Sequence, residues 1–597
     1  MKAMPCVSYP VLLCTLIIAA TTNAQWPDDP AINLSIADRP AEQVVPKIAS
    51  TSDGGCYVCW FDLASGNYDV YLQYLDNQGM EVWAHNGILV SDHTQLSSLV
   101  DWDLIADSQD NAVFVFTDAR NGSDLDVYAY KVSPAGDQLW GADGVTISSN
   151  DDYEPSPVVA EASDGDIVVV WARLPDVGDG SLMMQRLSPA GVERFAVGGI
   201  AVETQPGESP AFAQIIPAAD GNVIVSWVRD ISTFFSPRHV RANMFDASGA
   251  AVWTAPVNLF DAGSVPIAHW PRMVPDGSGG AVVYWHYSSA AFNCYVQHLD
   301  AAGNELFPHN GQTVSTSTTM NHLDPALAYN QTTGESIVFW NERNPSQTQW
   351  GIYAQKLSAT GTRMWGNTGL VLLPVSTLYR SFPRAVQYGN GAMVFLTDEP
   401  TGMFDEDRVI GMRLDGDGNH VWPGEIVEVS TVPSEKSRLP ITSDTSGVVK
   451  LIWEDGRNGN RDVFGQNVNP DGTLGPAVTA VGDDTADGNR DGNGEGDVNG
   501  DSDTVSRRML LPGYPNPFNP QTSITFHLDR PRSVRISVSS LSGQQVAVLT
   551  DQQYGAGTHA VTWHGRDGLG HAVASGTYLV RLEAENTFEM QKIMLVR

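Results

Sequence analysis

The sequence predicts an all-β chain: an eight-bladed β-propeller, with seven blades as the alternative, followed by a small Ig-like β-sandwich. Three observations lead there. A glycine recurs at Gly79, Gly136, Gly191, Gly249, Gly303, Gly361, Gly418 and Gly472, at intervals of 54 to 58 residues. An aromatic follows each of the first seven by four positions: Trp83, Trp140, Phe195, Trp253, Phe307, Trp365 and Trp422. Between these markers lie short β-branched and aromatic runs separated by Asp, Asn and Gly turns, the pattern of an antiparallel meander. A fixed period of this length marks a repeat architecture, and four strands per unit set radially make a propeller.

The first unit shows the elements in order. Val45 to Ala49 reads as a strand, Ser52 to Gly55 as a turn and Cys56 to Trp60 as a second strand. Asp69 to Leu75 reads as a third, and Glu81 to Ser91 carries a fourth. No segment sustains a 3.6-residue period, so helices are not expected. The second strand ends in a bulky residue in every unit: Trp60, Phe116, Trp171, Trp227, Trp285, Trp340, Leu396 and Trp453. A residue present in every unit serves what every unit shares, so these are read as packing between adjacent sheets. Gln73, Gln185, Gln297, Gln355 and Gln466 stand six residues before the marker glycine and are read as bonding neighbouring backbone. The eighth unit lacks a fourth strand, whereas Ala31 to Asp38 resembles the fourth strands elsewhere. An N-terminal strand completing the last blade would leave the ring no free edge. The seventh unit, with Leu396, is the one whose loss would give seven blades.

Composition narrows the function. The chain holds 34 basic and 69 acidic residues, a formal charge of −35, which argues against nucleic acid or anionic membrane as partner. Residues 1-24 read as a signal peptide: Lys2, the apolar Val11 to Ala20, and small residues at Thr22-Asn23-Ala24. No stretch reaches the length of a transmembrane span. Cys56, Cys59 and Cys294 remain in the mature chain, too few for a disulfide framework. The expected location is secreted, extracellular or at the outer-membrane surface of a Gram-negative bacterium.

The propeller is assigned to residues 25-478. Its variable segment joins the second and third strands, because the aromatic-to-glycine spacing there runs from 18 to 22. That loop face is the expected ligand-binding side. Its candidates are Arg229, Phe234, Phe235, Arg238 and Phe404, with His239 beside them. Asp118-Ala119-Arg120-Asn121-Gly122 and Asp455-Gly456-Arg457-Asn458-Gly459 set an acid beside an arginine and are read as Asx-type turns closed by local ion pairs. No catalytic residue is assigned, and no HExxH, GxSxG or phosphate loop is present. The repeat resembles sialidase propellers in architecture but lacks an intact Ser-x-Asp-x-Gly-x-Thr-Trp box.

Residues 479-508 form an acidic linker. From Gly482 to Asp503 there are eight acidic residues, six glycines and one arginine, a composition expected to be disordered. Asp487, Asn489, Asp491, Asp497, Asn499 and Asp501 alternate as calcium-loop oxygens do. Position twelve of each frame is Val498 or Arg508 rather than Glu, however. These fragments resemble a decayed dockerin or thrombospondin-type repeat, and calcium is the one cofactor they leave open.

Residues 509-597 carry a second pattern: Tyr514-Pro515-Asn516-Pro517-Phe518-Asn519-Pro520, Leu541-Ser542-Gly543, Ala556-Gly557-Thr558-His559, Trp563, Ala574 to Tyr578, and Lys592 to Leu595. Strands are expected at Thr522 to Leu528, Ser533 to Ser539, Gly557 to Trp563, Gly576 to Glu585 and Glu589 to Val596. This segment resembles the type A C-terminal sorting domain of the type IX secretion system, a pattern overlapping the FlgD-type Ig-like domain. The resemblance implies export and surface display or release through the type IX machinery. The leading functional expectation is a non-enzymatic propeller binding an extracellular protein or glycan. The alternative is a secreted polysaccharide hydrolase or lyase.

Overall fold

The computed structural model describes residues 25–95, 102–122, 124–230, 237–266, 270–288, 291–399 and 406–476 of a first unit. In a second unit it describes 521–595 except 529, 541–544, 556, 569, 575 and 585–586. The assigned signal peptide and linker lie outside the described residues. Apart from a 3₁₀ turn at Ala219–Gly221, the described elements are strands.

The first unit is eight antiparallel sheets, one per repeat. Blade 1 runs Gln43–Ser50, Cys56–Asp62, Asp69–Leu75 and Ile88–Ser91, in that spatial order. Blades 2 to 7 repeat it, and blade 7 (Tyr379–Tyr388, Gly391–Glu399, Asp407–Leu414, Ile426–Ser434) is complete with Leu396 fully buried. The seven-bladed alternative therefore falls. Blade 8 takes its outer strand from the N-terminus: Leu34–Ala37 pairs with Asp462–Val468, Leu34 opposite Gly465 and Ala37 opposite Val463. Its inner strand is broken into Lys436–Ser437 and Ile441–Ser443. Pro440 falls in the break, where it has no N–H to give a ladder.

One apolar cluster fills each interface. Tyr57, Phe61, Phe114 and Tyr130 lie between blades 1 and 2, and the series continues round the ring. Between blades 8 and 1, Trp26, Leu34, Ile36 and Ile452 meet Val58, Trp60 and Leu75. A continuous series of interfaces that returns to its start is a closed ring.

The repeated residues explain the closure. At each marker glycine φ is between +79° and +90°, a region that favours glycine. The space a β-carbon would fill is also taken by the marker aromatic of the preceding blade: Trp83 over Gly136, Trp140 over Gly191, Trp253 over Gly303, Trp422 over Gly472. Several of these indoles donate from Nε1 to a carbonyl of the next blade, Trp140 to Pro189 at 3.1 Å and Trp422 to Pro470 at 2.8 Å. Trp26 occupies the same place over Gly79 and is the eighth marker aromatic, supplied by the other end of the chain. The repeated glutamines bond as expected: Gln73 donates to the Ala84 carbonyl at 3.0 Å and Gln466 to Pro27 at 2.6 Å.

The second unit pairs Thr522–Leu528 with Gly557–Trp563. Its other sheet orders Gln545–Tyr554, Arg532–Ser540, Gly576–Ala584 and Thr587–Leu595. Ile524, Phe526, Val534, Ile536, Trp563 and Leu582 form the core between them. The strand Gln545–Tyr554 was not expected. It is an edge strand with only Ala547 buried, so its residues carry no apolar alternation.

Candidate functional site

A backbone irregularity on the inner strands builds the site. In blades 1, 4, 6 and 7 the register between first and second strands slips by one residue, so two inner residues oppose one. The opposed residue is the repeated bulky one: Trp60, Trp227, Trp340 and Leu396. The first bulged residue has positive φ in each case: Val45 (+54°), Phe212 (+54°), Asp324 (+52°) and Phe382 (+53°). A bulge bends its strand and re-aims a side chain, and non-glycine residues in this region are strained features found most often at functional sites. Blade 5 has Trp270-Pro271 at the matching place, just before its inner strand Arg272–Pro275.

In blades 5 to 7 these positions line one cavity of about 220 Å³. Trp270 and Phe382 supply aromatic walls, with Phe212 of blade 4 stacked behind Trp270 (centroids 3.4 Å apart, planes 8° apart). Phe382 is 38% exposed. Two residues after the bulge position stand Arg272 and Arg384, which also line the cavity. Neither makes an ion pair with a carboxylate among the described residues. Burial, with Arg272 adding its like charge, lowers Arg384 to about 10, and it remains a cation at neutral pH. Its guanidinium donates to the Pro383 carbonyl, 3.0 Å away.

Tyr284 and His286 enter from the second strand of blade 5, Ala281–Ser288, with Tyr284 paired to Arg272 in register. Burial raises the Tyr284 phenol above its ordinary value, while Arg272 and Arg384 pull the other way by favouring the phenolate. His286 accepts the Asp324 backbone N–H at Nδ1, 3.2 Å away, so the neutral ring carries its proton on Nε2. Asp324 is the lining carboxylate, and Arg343 donates to its Oδ2 at 2.9 Å. The cavity thus joins aromatic faces to two cations, a phenol and a single, already paired acid.

The expected loop candidates sit elsewhere. Arg229 closes on Glu208 as an ion pair, and Arg241 stands 3.6 Å from the same carboxylate. Arg238 donates from Nε to the Val265 carbonyl at 2.8 Å. Burial, with Arg229 adding, lowers the His239 pKa. None of these residues lines the cavity, although the strand ends that carry them face the same side of the ring. Phe234, Phe235 and Phe404 lie outside the described residues, as do the calcium candidates Asp487, Asn489, Asp491, Asp497, Asn499 and Asp501. The two acid–arginine phrases are turns: the Arg120 amide donates to Asp118 Oδ1 at 3.1 Å and its guanidinium closes on the same carboxylate. Asp455 and Arg457 repeat the arrangement. Among the described residues no group of three or more His, Cys, Asp or Glu could hold a metal ion.

Loop reasoning missed the inner-strand residues because it weighed only length variation. The readable sign was Trp270-Pro271-Arg272 and Phe382-Pro383-Arg384, where units that elsewhere hold Val45-Pro46-Lys47 or Asp324-Pro325-Ala326 carry an aromatic and an arginine.

The family model for the FlgD Ig-like domain matches residues 516–587. No curated protein matches the sequence. Among solved structures, an ulvan lyase from a new family of polysaccharide lyases is similar at 9% identity and a TM-score of 0.42, over 75% of this chain and 96% of that one. A puromycin hydrolase is similar at 11% identity and 0.38, over 71% and 62%. An α-L-arabinofuranosidase from Fusarium graminearum is similar at 10% identity and 0.33, over 55% and 98%. At these scores none of the three fixes the chemistry of this chain.

Proposed function

We propose that the propeller is a polysaccharide-active enzyme of the lyase type, acting on an acidic sugar in the cavity of blades 5 to 7. One observation carries this reading: Arg272 and Arg384, without carboxylate partners among the described residues, converge on an aromatic-walled cavity beside the buried Tyr284. Guanidinium groups bind a carboxylate through charge-assisted hydrogen bonds, and the exposed Phe382 face suits a sugar ring. Neutralising a uronate carboxylate acidifies the C5 proton. Tyr284, as phenolate, takes that proton. The C5–H electrons form the C4=C5 bond, the C4–O bond breaks, and the phenol returns its proton to the departing glycosidic oxygen. No water is consumed.

Hydrolysis by paired carboxylates fits less well, since that chemistry needs two acids about 5 to 10 Å apart across the scissile bond. Among the described residues the one lining carboxylate, Asp324, is bound to Arg343. The non-enzymatic binding expectation rested on loop residues, and those described are engaged in ion pairs and backbone bonds within their own blade. Digestion of a uronate polymer in ¹⁸O-water distinguishes the chemistries. Elimination gives unlabelled products carrying a double bond, whereas hydrolysis places label in each new reducing end.

The reading of a secreted protein delivered by its C-terminal unit rests on the N-terminal charge, apolar and small-residue order and on the Ig-like match. Fusing residues 505–597 to a periplasmic reporter in a host with type IX machinery tests it. The reporter should move outside the cell, and retention in the periplasm would leave the domain a passive Ig-like module.

A further inference from the structure

A second cavity, of about 520 Å³, adjoins the first and shares Phe382 with it. It lies between blades 7 and 8, lined by Tyr379, Glu399, Asp407, Glu435 and Lys436. The two cavities have opposite polarity. Lys436 is the lining cation here among the described residues, and its ammonium is turned into the protein. It donates to the Asp407 carbonyl at 2.9 Å, the Val432 carbonyl at 2.5 Å and Ser434 Oγ at 2.6 Å, and stands 3.6 Å from Asp455. Its backbone N–H goes to Asp407 Oδ2 at 3.1 Å. The remaining charged groups are carboxylates. Glu399 and Asp407 are 2% and 5% exposed. Burial raises the Asp407 pKa, and Glu399 hydrogen-bonds it. Glu435 stays at the rim, 3.1 Å from Arg461.

Resting on the lyase reading of the first cavity, we propose that the second is the neighbouring sugar subsite and that it takes an uncharged sugar. The preferred polymer then alternates an acidic residue with a neutral one. Sugar hydroxyls donate well to buried carboxylates, which are acceptor-only groups when ionised. Tyr379 and Phe382 offer ring faces on which such a sugar packs. A second uronate at this place would set its charge beside carboxyl groups that are themselves buried, which selects against it. Across the Phe382 ring, one sugar meets two guanidiniums and the next meets the hydrogen-bonded Glu399–Asp407 pair, which shares a proton and carries one negative charge, with Glu435 at the rim. A homopolymer of uronates satisfies the first cavity and is repelled by the second.

The test compares two hexasaccharides on the full-length protein by calorimetry: unsulfated chondroitin, alternating glucuronate with uncharged N-acetylgalactosamine, and hexagalacturonate. The alternating probe should bind at least about tenfold more tightly, because like charges set side by side act against the wrong partner. Glu435→Gln, an exposed change that leaves the fold intact, should narrow the gap by strengthening hexagalacturonate binding. Glu399→Gln should weaken the alternating probe. Arg384→Met separates this proposal from the reading beneath it. If both probes bind equally and Arg384→Met weakens both by about tenfold or more, the acidic-sugar reading stands and the alternation proposal is overturned. If neither probe binds, or Arg384→Met changes nothing, both are overturned.

Discussion

Trp26 lies over Gly79, with its indole ring 2.6 Å from the place a β-carbon would take. The pair joins the start of the described chain to blade 1 in the way each blade is joined to the next. Trp26 is 1% exposed and packs with Leu34 and Ile36 against Val58 and Trp60. Trp26→Ala should therefore cost about 3–5 kcal/mol, the usual loss for a large buried aromatic. Thermal unfolding measures it. Deleting residues 25–40 should go further, exposing the Asp462–Val468 edge and lowering solubility. A truncated protein as stable and soluble as the full chain would mean that the N-terminal strand does not hold the ring closed.

Two glycines separate backbone strain from steric conflict. Gly303 has φ +83° and a virtual β-carbon 2.7 Å from Trp253, whereas Gly366 has φ +79° and nothing within 4 Å. Gly366→Ala should cost about 1 kcal/mol from conformation alone. Gly303→Ala should cost roughly 1–3 kcal/mol more, because the indole must move. Equal losses in denaturant titration would show that the marker glycines are kept for φ only.

The propeller was legible because its repeated residues do repeated work. A glycine beneath an aromatic and a bulky residue in each second strand, tryptophan in six of the eight, recur in sequence since each interface needs them. The ring closure was legible too, although within Ala31 to Asp38 the paired segment is Leu34–Ala37. The cavity was not. Phe382 and Arg384 matter because a bulge turns them into the lumen, and a register slip leaves no mark in hydrophobic alternation beyond Pro383. Arg229 and Arg238 looked available only while their partners Glu208 and Val265 were unknown.

His85 gives stability a pH dependence. The hydrogen bond it donates to the Glu81 carboxylate raises it to about 9, with Asp38 accepting from the other ring nitrogen at 3.0 Å. Asp38 follows the strand that closes the ring, so the imidazolium ties blade 1 to that strand. A folded pKa above the unfolded 6.5 means this contribution is full below about 6.5 and is lost as pH rises through about 9. His309, between Glu305 and Asp261, repeats the device in blade 5 and is also raised. The melting temperature of His85→Gln should match that of the parent well above pH 9, and fall below it at pH 6. A constant difference across that range would remove the titration from the account.

Arg384→Met should leave folding intact, since the native guanidinium makes no ion pair among the described residues and is half-buried. It should weaken binding of uronate oligosaccharides by roughly tenfold to a hundredfold, as expected for a charge-assisted hydrogen bond of about 1.5–3 kcal/mol. Neutral oligosaccharides should be unaffected. Loss of neutral and acidic ligands in equal measure would point to a collapsed cavity rather than a lost cation.

The most direct measurement is the ultraviolet absorbance of the unsaturated uronate formed when the full-length protein is incubated with alternating and homopolymeric uronate polysaccharides, followed across pH for the parent and Tyr284→Phe. The parent should generate that absorbance at a rate that rises with pH as the phenolate forms. Tyr284→Phe, folded by circular dichroism, should be slower by about 10²–10⁴-fold, the range for removing a proton-transfer group. A parent that binds these polymers without producing the chromophore, or a Tyr284→Phe variant that produces it at the parent rate, would contradict the assignment of lyase chemistry to this cavity.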